Sequence, residues 1–187
     1  CDPRVGSSAS IDALASRVDA QGVSAVIYED LNNPFGLGLL SFSEEPKDFV
    51  QKLRPVFAPN QPHAPSFKLL PEYTMFGRTY ATGYEPELEH WLIKRPQETV
   101  LNKDWPWAVW YPLRRSGAFA QLPGQEQGSI LREHAEIGKA YGNQDLAHDV
   151  RLACHGLDAK DNEFVIGLIG SVVGLILGVD RFLDMCR

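Results

Sequence analysis

The chain has 187 residues, 44% of them hydrophobic and 22% charged, which is enough for one sizeable core or two fused small ones. Its net charge of −6 excludes nucleic acid as a default partner, and no basic run or interleaved aromatic patch reverses that. Cys1, Cys154 and Cys186 are too few and too scattered for a disulfide framework or a zinc site, so a reducing compartment and a cytoplasmic location are expected. Cys1 leaves other readings open: the lipid-bearing cysteine of a processed lipoprotein, or the boundary left by a trimmed targeting segment to an organelle.

In chain order, Ser10 to Ala20 predicts a short helix with Ser10 as its N-cap. VSAVIYEDL and GLGLLSF are β-rich runs on either side of the turn-prone NNPFG, which predicts a hairpin. SEEPKDFVQKLRPVF predicts a helix capped by Ser43, with Phe49, Leu53 and Phe57 at four-residue spacing and Pro55 ending it. APNQPHAPS, with three prolines, is a loop, and FKLLPEYTMFGRTYATGY resumes strand character. EPELEHWLIKRPQETVLNKDWP is a charged connector with a short helix around Leu88 to Ile93.

The second half repeats this order. WAVWYPL predicts a strand, Leu122 to Tyr141 a helix, and DVRLACH and EFVIGLIG two further strands. FVIGLIGSVVGLILGV carries no charge, but it falls short of the about 20 apolar residues that a spanning helix needs. The expectation is a buried strand and then a helix from Val172 to Met185, with Asp180, Arg181, Asp184 and Arg187 towards solvent, and no membrane span. The chain is therefore divided into an N-terminal extension (1–20), a first half (21–95), a connector (96–106) and a second half (107–187).

His134 is the residue with the most chemistry around it. Ile130, His134, Ile137 and Tyr141 recur at helical spacing, so the imidazole shares a stripe with apolar side chains. A core histidine bonded to the backbone is one reading. An axial haem ligand is the other, because cations for propionates and a polar group for an open face stand nearby in sequence. Strand alternation puts Arg151 and His155 on one face, with Val150, Leu152 and Cys154 on the other. A guanidinium on a half-buried face is costly unless paired or solvated. Arg114 and Arg115 follow a strand, where a propionate contact competes with a solvated turn, and the same choice holds for Lys139. His63, His90 and His148 have no metal-ligand spacing to one another.

YPLRR, EHAEIGKAYG, RLACHGLD and the following EFVI resemble the C-terminal half of the chlorite dismutase family, from about Trp107 to about Gly170. That family includes chlorite dismutases, coproheme decarboxylases and related proteins. The resemblance implies an α+β fold in which two ferredoxin-like halves form an open β-barrel with helices outside. It implies haem b or coproheme as cofactor, His134 as the iron ligand, and Arg151 as the distal arginine that meets an oxyanion or peroxide. Tyr111 and Arg115 fall on the tyrosine and lysine of the decarboxylases, Phe119 falls on a tryptophan common in chlorite dismutases, and Lys139 is placed near a propionate. The implied activity is peroxidase-like or chlorite-decomposing, in a homo-oligomer for which a pentameric ring is favoured. Two alternatives stand beside it: a coproheme decarboxylase using Tyr111, and a non-catalytic member acting as an interaction module. Phe119 in place of tryptophan, and a chain that ends before the acid that orients the proximal histidine, lead to the expectation of weak chlorite turnover.

Overall fold

Leu14 and Val18 lie one helical turn apart, and both are buried in the computed structural model, which describes residues 8–58, 67–155, 157 and 161–172. They belong to α1 (Ser8–Ala20), which starts ahead of Ser10. Ser10 is therefore not the cap but the first member of the buried stripe. The chain divides between Pro71 and Glu72 into two compact units.

In the first unit the expected hairpin forms from β1 (Ser24–Glu29) and β2 (Leu37–Phe42), with Glu29 opposite Leu37 and Ser24 opposite Phe42. Asp30 and Asn33 hold its turn with their carboxylate and amide oxygens, which accept from Asn32 N at 2.8 Å and Phe35 N at 3.1 Å. Leu14, Val18 and Val56 form the core, packed by Ala25, Ile27, Leu37, Leu39 and Phe67. The second helix departs from expectation. A π turn over Phe49–Leu53 runs into α2 (Arg54–Val56), and Pro55 lies inside it instead of ending it. A proline ring collides with the carbonyl four residues back, and the wider i→i+5 register, here Arg54 N to Phe49 O, relieves that collision.

The same device recurs in the second unit. A π turn over His90–Lys94 leads into α3 (Arg95–Leu101), with Pro96 in its first turn and Arg95 N bonded to His90 O. FVQKLRP and HWLIKRP are thus equivalent structural words. Thr99 and Val100 are buried and α3 packs on a strand, so part of the expected connector belongs to the second unit. FKLLPEYTMFGRTYATGY is mostly irregular and keeps only β3 (Arg78–Thr79), because Pro71, Gly77 and Gly83 interrupt any longer run.

The other strands form as read: β4 (Trp107–Leu113), β5 (His148–Ala153) and β6 (Phe164–Gly170). Two helices, α4 (Gly117–Gln121) and α5 (Gly124–Asn143), replace the single helix expected from Leu122. The sheet order is β3-β5-β6-β4, and all its pairs are antiparallel. It follows that β4 and β5 run parallel with β6 between them, and α4 and α5 make the crossover, a split β-α-β unit. The fold is α+β, with two separate antiparallel sheets and five α-helices among the described residues. No helix among those residues is long and apolar enough to cross a membrane. Cys1, Cys186, His63 and the helix expected from Val172 to Met185 lie outside the described residues.

Two glycines, one inside α5 and one at the end of β6, separate propensity from packing. A Cβ at Gly128 meets nothing within 4 Å, whereas one at Gly170 would sit 2.6 Å from the carbonyl oxygen of Leu146. Gly128→Ala should stabilise the protein by about 0.5–1 kcal/mol in urea unfolding. Gly170→Ala should cost about 1–3 kcal/mol through overpacking against backbone.

Candidate functional site

The register of the second sheet builds the site. Tyr111 on β4, Ile166 on β6 and Arg151 on β5 stand in one cross-strand row. Val109, Leu168 and Asp149 form the next row on the same face. Ile166 and Leu168 are buried there among Trp107, Val109, Tyr111, Leu113 and Phe164. A carboxylate and a guanidinium thus share a face with the apolar cluster of this unit, and such a placement needs compensation.

Asp149 supplies it by standing between two arginines. Arg151 Nε is 3.0 Å from Asp149 Oδ2. Arg95 Nη2 donates to Asp149 Oδ1 at 2.8 Å, and Arg95 Nη1 donates to the Asp149 carbonyl at 3.1 Å. Arg95 lies over the Trp91 ring at 4.7 Å, and Arg151 over the Tyr80 ring at 5.8 Å. Asp149 is desolvated, which pushes its pKa up, yet Arg95 and Arg151 more than reverse that and hold it below the usual aspartate value.

His134 faces this group from α5. Its pKa is lowered, first by desolvation; Asp149 pulls it up and Arg151 pushes it further down. The side chain is nevertheless reached by solvent. His134 is therefore partly desolvated by the neighbouring protein while its side chain stays exposed. The helix agrees with this. None of its twenty residues is buried, and Ile130 and Leu131 are about half exposed, so only the Ile137 and Tyr141 end of the expected stripe meets the protein.

The remaining expected residues distribute unevenly. Tyr111 joins the row with its hydroxyl buried. Arg115 is engaged: its Nε donates to Glu163 Oε1 at 2.6 Å, its Nη2 pairs with the same oxygen, and its backbone N–H bonds to Oε2 at 3.0 Å. The rings of Phe119 and Phe164 flank that guanidinium at 5.8 and 5.0 Å. Phe119 lies on α4, where its N–H bonds to the capping Ser116 at 3.2 Å. Lys139 is exposed on α5, and five residues of helix turn it about 140° from His134. His155 meets Phe164 edge-on at 5.6 Å.

The reading from sequence missed Asp149, Arg95, Tyr80 and Glu163. Asp149 had a signal, two residues before Arg151 and so on the same strand face. Glu163 adjoins the EFVI motif. Arg95 had none, being 54 residues from Asp149. Among the described residues no group of three or more His, Cys, Asp or Glu side chains is arranged to hold a metal ion. No family model, curated protein or solved structure matches the chain.

The electrostatics give a direct measurement. The folded pKa of His134 lies below its unfolded value, so the unfolded chain binds the proton more readily. Through this residue, stability should fall as pH drops below about 6.5. In ring-proton NMR His134 should titrate below a model imidazole. Arg151→Gln should raise its midpoint and Asp149→Asn should lower it; opposite shifts would place these groups away from His134.

Proposed function

We propose that the sheet face beside α5 binds haem b or coproheme, with His134 as the residue that would hold its iron, in a protein of chlorite dismutase-like character. One observation carries the reading: an imidazole kept neutral by desolvation, yet open to solvent, on a long helix that buries no residue. A nitrogen ligand to iron must be deprotonated, and here the fold favours that form. The apolar face with Ile166, Leu168 and Phe164 suits a flat, largely hydrophobic group. Arg115 would meet a propionate only by releasing Glu163, and Lys139 only by reaching round the helix from its position turned away from His134.

Haem would supply redox chemistry towards a small oxyanion or a peroxide. The chain's own contribution is to bind and orient. His134 fixes one side, Arg151 draws the anion from solvent, and the aromatic cluster excludes bulk water. A coproheme decarboxylase is the second reading, favoured by the row that places the Tyr111 phenol and the Arg151 guanidinium on one face.

The same reading extends to architecture. Strands β4, β6 and β5 with crossover α5 have the arrangement of the first three strands of a ferredoxin-like half, which supports two such halves and an open barrel. The outer edge of β4 has no strand partner among the described residues, nor do those of the β1–β2 hairpin. Unpaired edges favour self-association, for which we infer a pentameric ring, in the cytoplasm.

Two measurements test this. Adding hemin to the purified chain should give a Soret band that His134→Ala weakens. Arg151→Ala should leave that band nearly intact while weakening cyanide, fluoride or chlorite binding. A chain without any Soret band would instead be an interaction module. Light scattering should give a multiple of 20.8 kDa, and a monomer at micromolar concentration would refute the ring.

A further inference from the structure

Asp149 touches each of its two arginines with a different oxygen. Its carboxylate therefore cannot rotate without breaking one ion pair. Arg95 is the fixed member. It grips both the side chain and the carbonyl of Asp149, rests on Trp91, and is the least exposed of the three charged groups, at 23% against 39% for Asp149 and 33% for Arg151. The π turn over His90–Lys94 that accommodates Pro96 carries Trp91 and delivers Arg95 directly after it. Arg151, by contrast, is held at one point, through Nε. The contact is an ion pair at Nε, and among the described residues no acceptor meets either Nη group of Arg151. The ring of Tyr80 limits its swing.

We propose that Asp149, anchored by Arg95, is a positioning residue that keeps the paired Nη groups of Arg151 open to solvent on the sheet face near His134, where they receive a small two-oxygen anion in preference to a spherical one. The proposal rests on reading Arg151 as the anion-facing group. Two parallel N–H donors match two oxygens of one anion, as in arginine–carboxylate pairs, whereas a halide gains only from charge. Removing the Asp149 charge makes the site more attractive to any anion but frees the guanidinium to turn. Charge and aim are thereby separated.

The experiment uses the full chain without haem, labelled with ¹⁵N-arginine, with the Arg151 side-chain signals assigned by their loss in Arg151→Lys. Formate and chloride are titrated at constant ionic strength. In the unaltered chain formate should bind about tenfold more tightly than chloride, and the Arg151 Nε–H should exchange slowly. In Asp149→Asn the preference should fall to about twofold or less, with chloride bound more tightly and Nε–H exchange at least about tenfold faster. Arg95→Gln keeps the Asp149 charge but loses its anchor. It should lose the preference with no gain in chloride affinity, and it carries the test if Asp149→Asn does not fold. An undiminished formate preference in the folded variants would overturn the positioning role. An Arg151 that responds to neither anion in the unaltered chain would overturn the anion reading instead, while Nε–H exchange in the variants still decides whether Asp149 and Arg95 hold it.

Discussion

A single carboxylate between two guanidiniums decides what the apolar face of the second sheet can carry. Asp149 and Arg151 share that face with Ile166 and Leu168, where an unpaired charge is strongly disfavoured. A simple Asp149–Arg151 pair would satisfy both groups and cancel their charge. Adding Arg95 keeps each group compensated and leaves the triad with one net positive charge. That residual charge is what an anion arriving from solvent would meet, whereas at His134 the nearer pull of Asp149 outweighs the push of Arg151 and it is desolvation that lowers the imidazole pKa. Breaking such a cluster by removing one partner usually costs more than the cluster contributes, because it strands a charge. Its chemical value therefore lies in placement, and its stability cost is contained because solvent still reaches all three side chains.

Helix α5 is the second constraint. It contains Gly124, Gly128, Gly138 and Gly142, and for the first three a Cβ would meet nothing within 4 Å. Close packing therefore does not explain them, and each weakens the helix relative to alanine. The helix is tied down at its C-terminal end, where Leu146 N and Gln144 N bond back to Tyr141 O and β5 begins at His148. There His148 stacks on Trp105 at 3.7 Å and bonds to Asp145 at 2.8 Å, so this histidine serves the joint between helix and strand. The crossover is thus fixed at its exit and exposed along much of its length, and His134 lies in that exposed stretch.

Much of this was legible locally and little of it at long range. Strands β4, β5 and β6 announced themselves by β-branched and aromatic runs, and the alternation along β5 put Arg151 on a half-buried face. The π turns were not legible, because Lys-Leu-Arg-Pro and Ile-Lys-Arg-Pro carry the composition of an ordinary helix stopped by proline. Only the carbonyl that the ring would strike explains the widened turn. Strand character in FKLLPEYTMFGRTYATGY is realised only at Arg78–Thr79, the one part of it that pairs with a strand among the described residues. Arg95 shows the general limit. A contact over 54 residues is fixed by how α3 meets β5, and no periodicity within either segment encodes it.

Arg115 and Arg151 show why residue type alone does not assign a role. Both follow or occupy strands of one sheet, both lie near Phe164 or Tyr80, and both have a carboxylate partner. The difference is in how the fork is used. Glu163 takes Arg115 through Nε, Nη2 and the backbone N–H together, and Phe119 and Phe164 flank the plane, so the guanidinium closes the joint between the end of β4 and the start of β6. A competing anion would have to replace all three contacts at once. Asp149 meets Arg151 at Nε alone, as an ion pair, and is itself held by Arg95, so the far end of the guanidinium stays uncommitted among the described residues. The same side chain is a clasp where its partner is bidentate and local, and keeps donors to spare where its partner is single-point and anchored elsewhere.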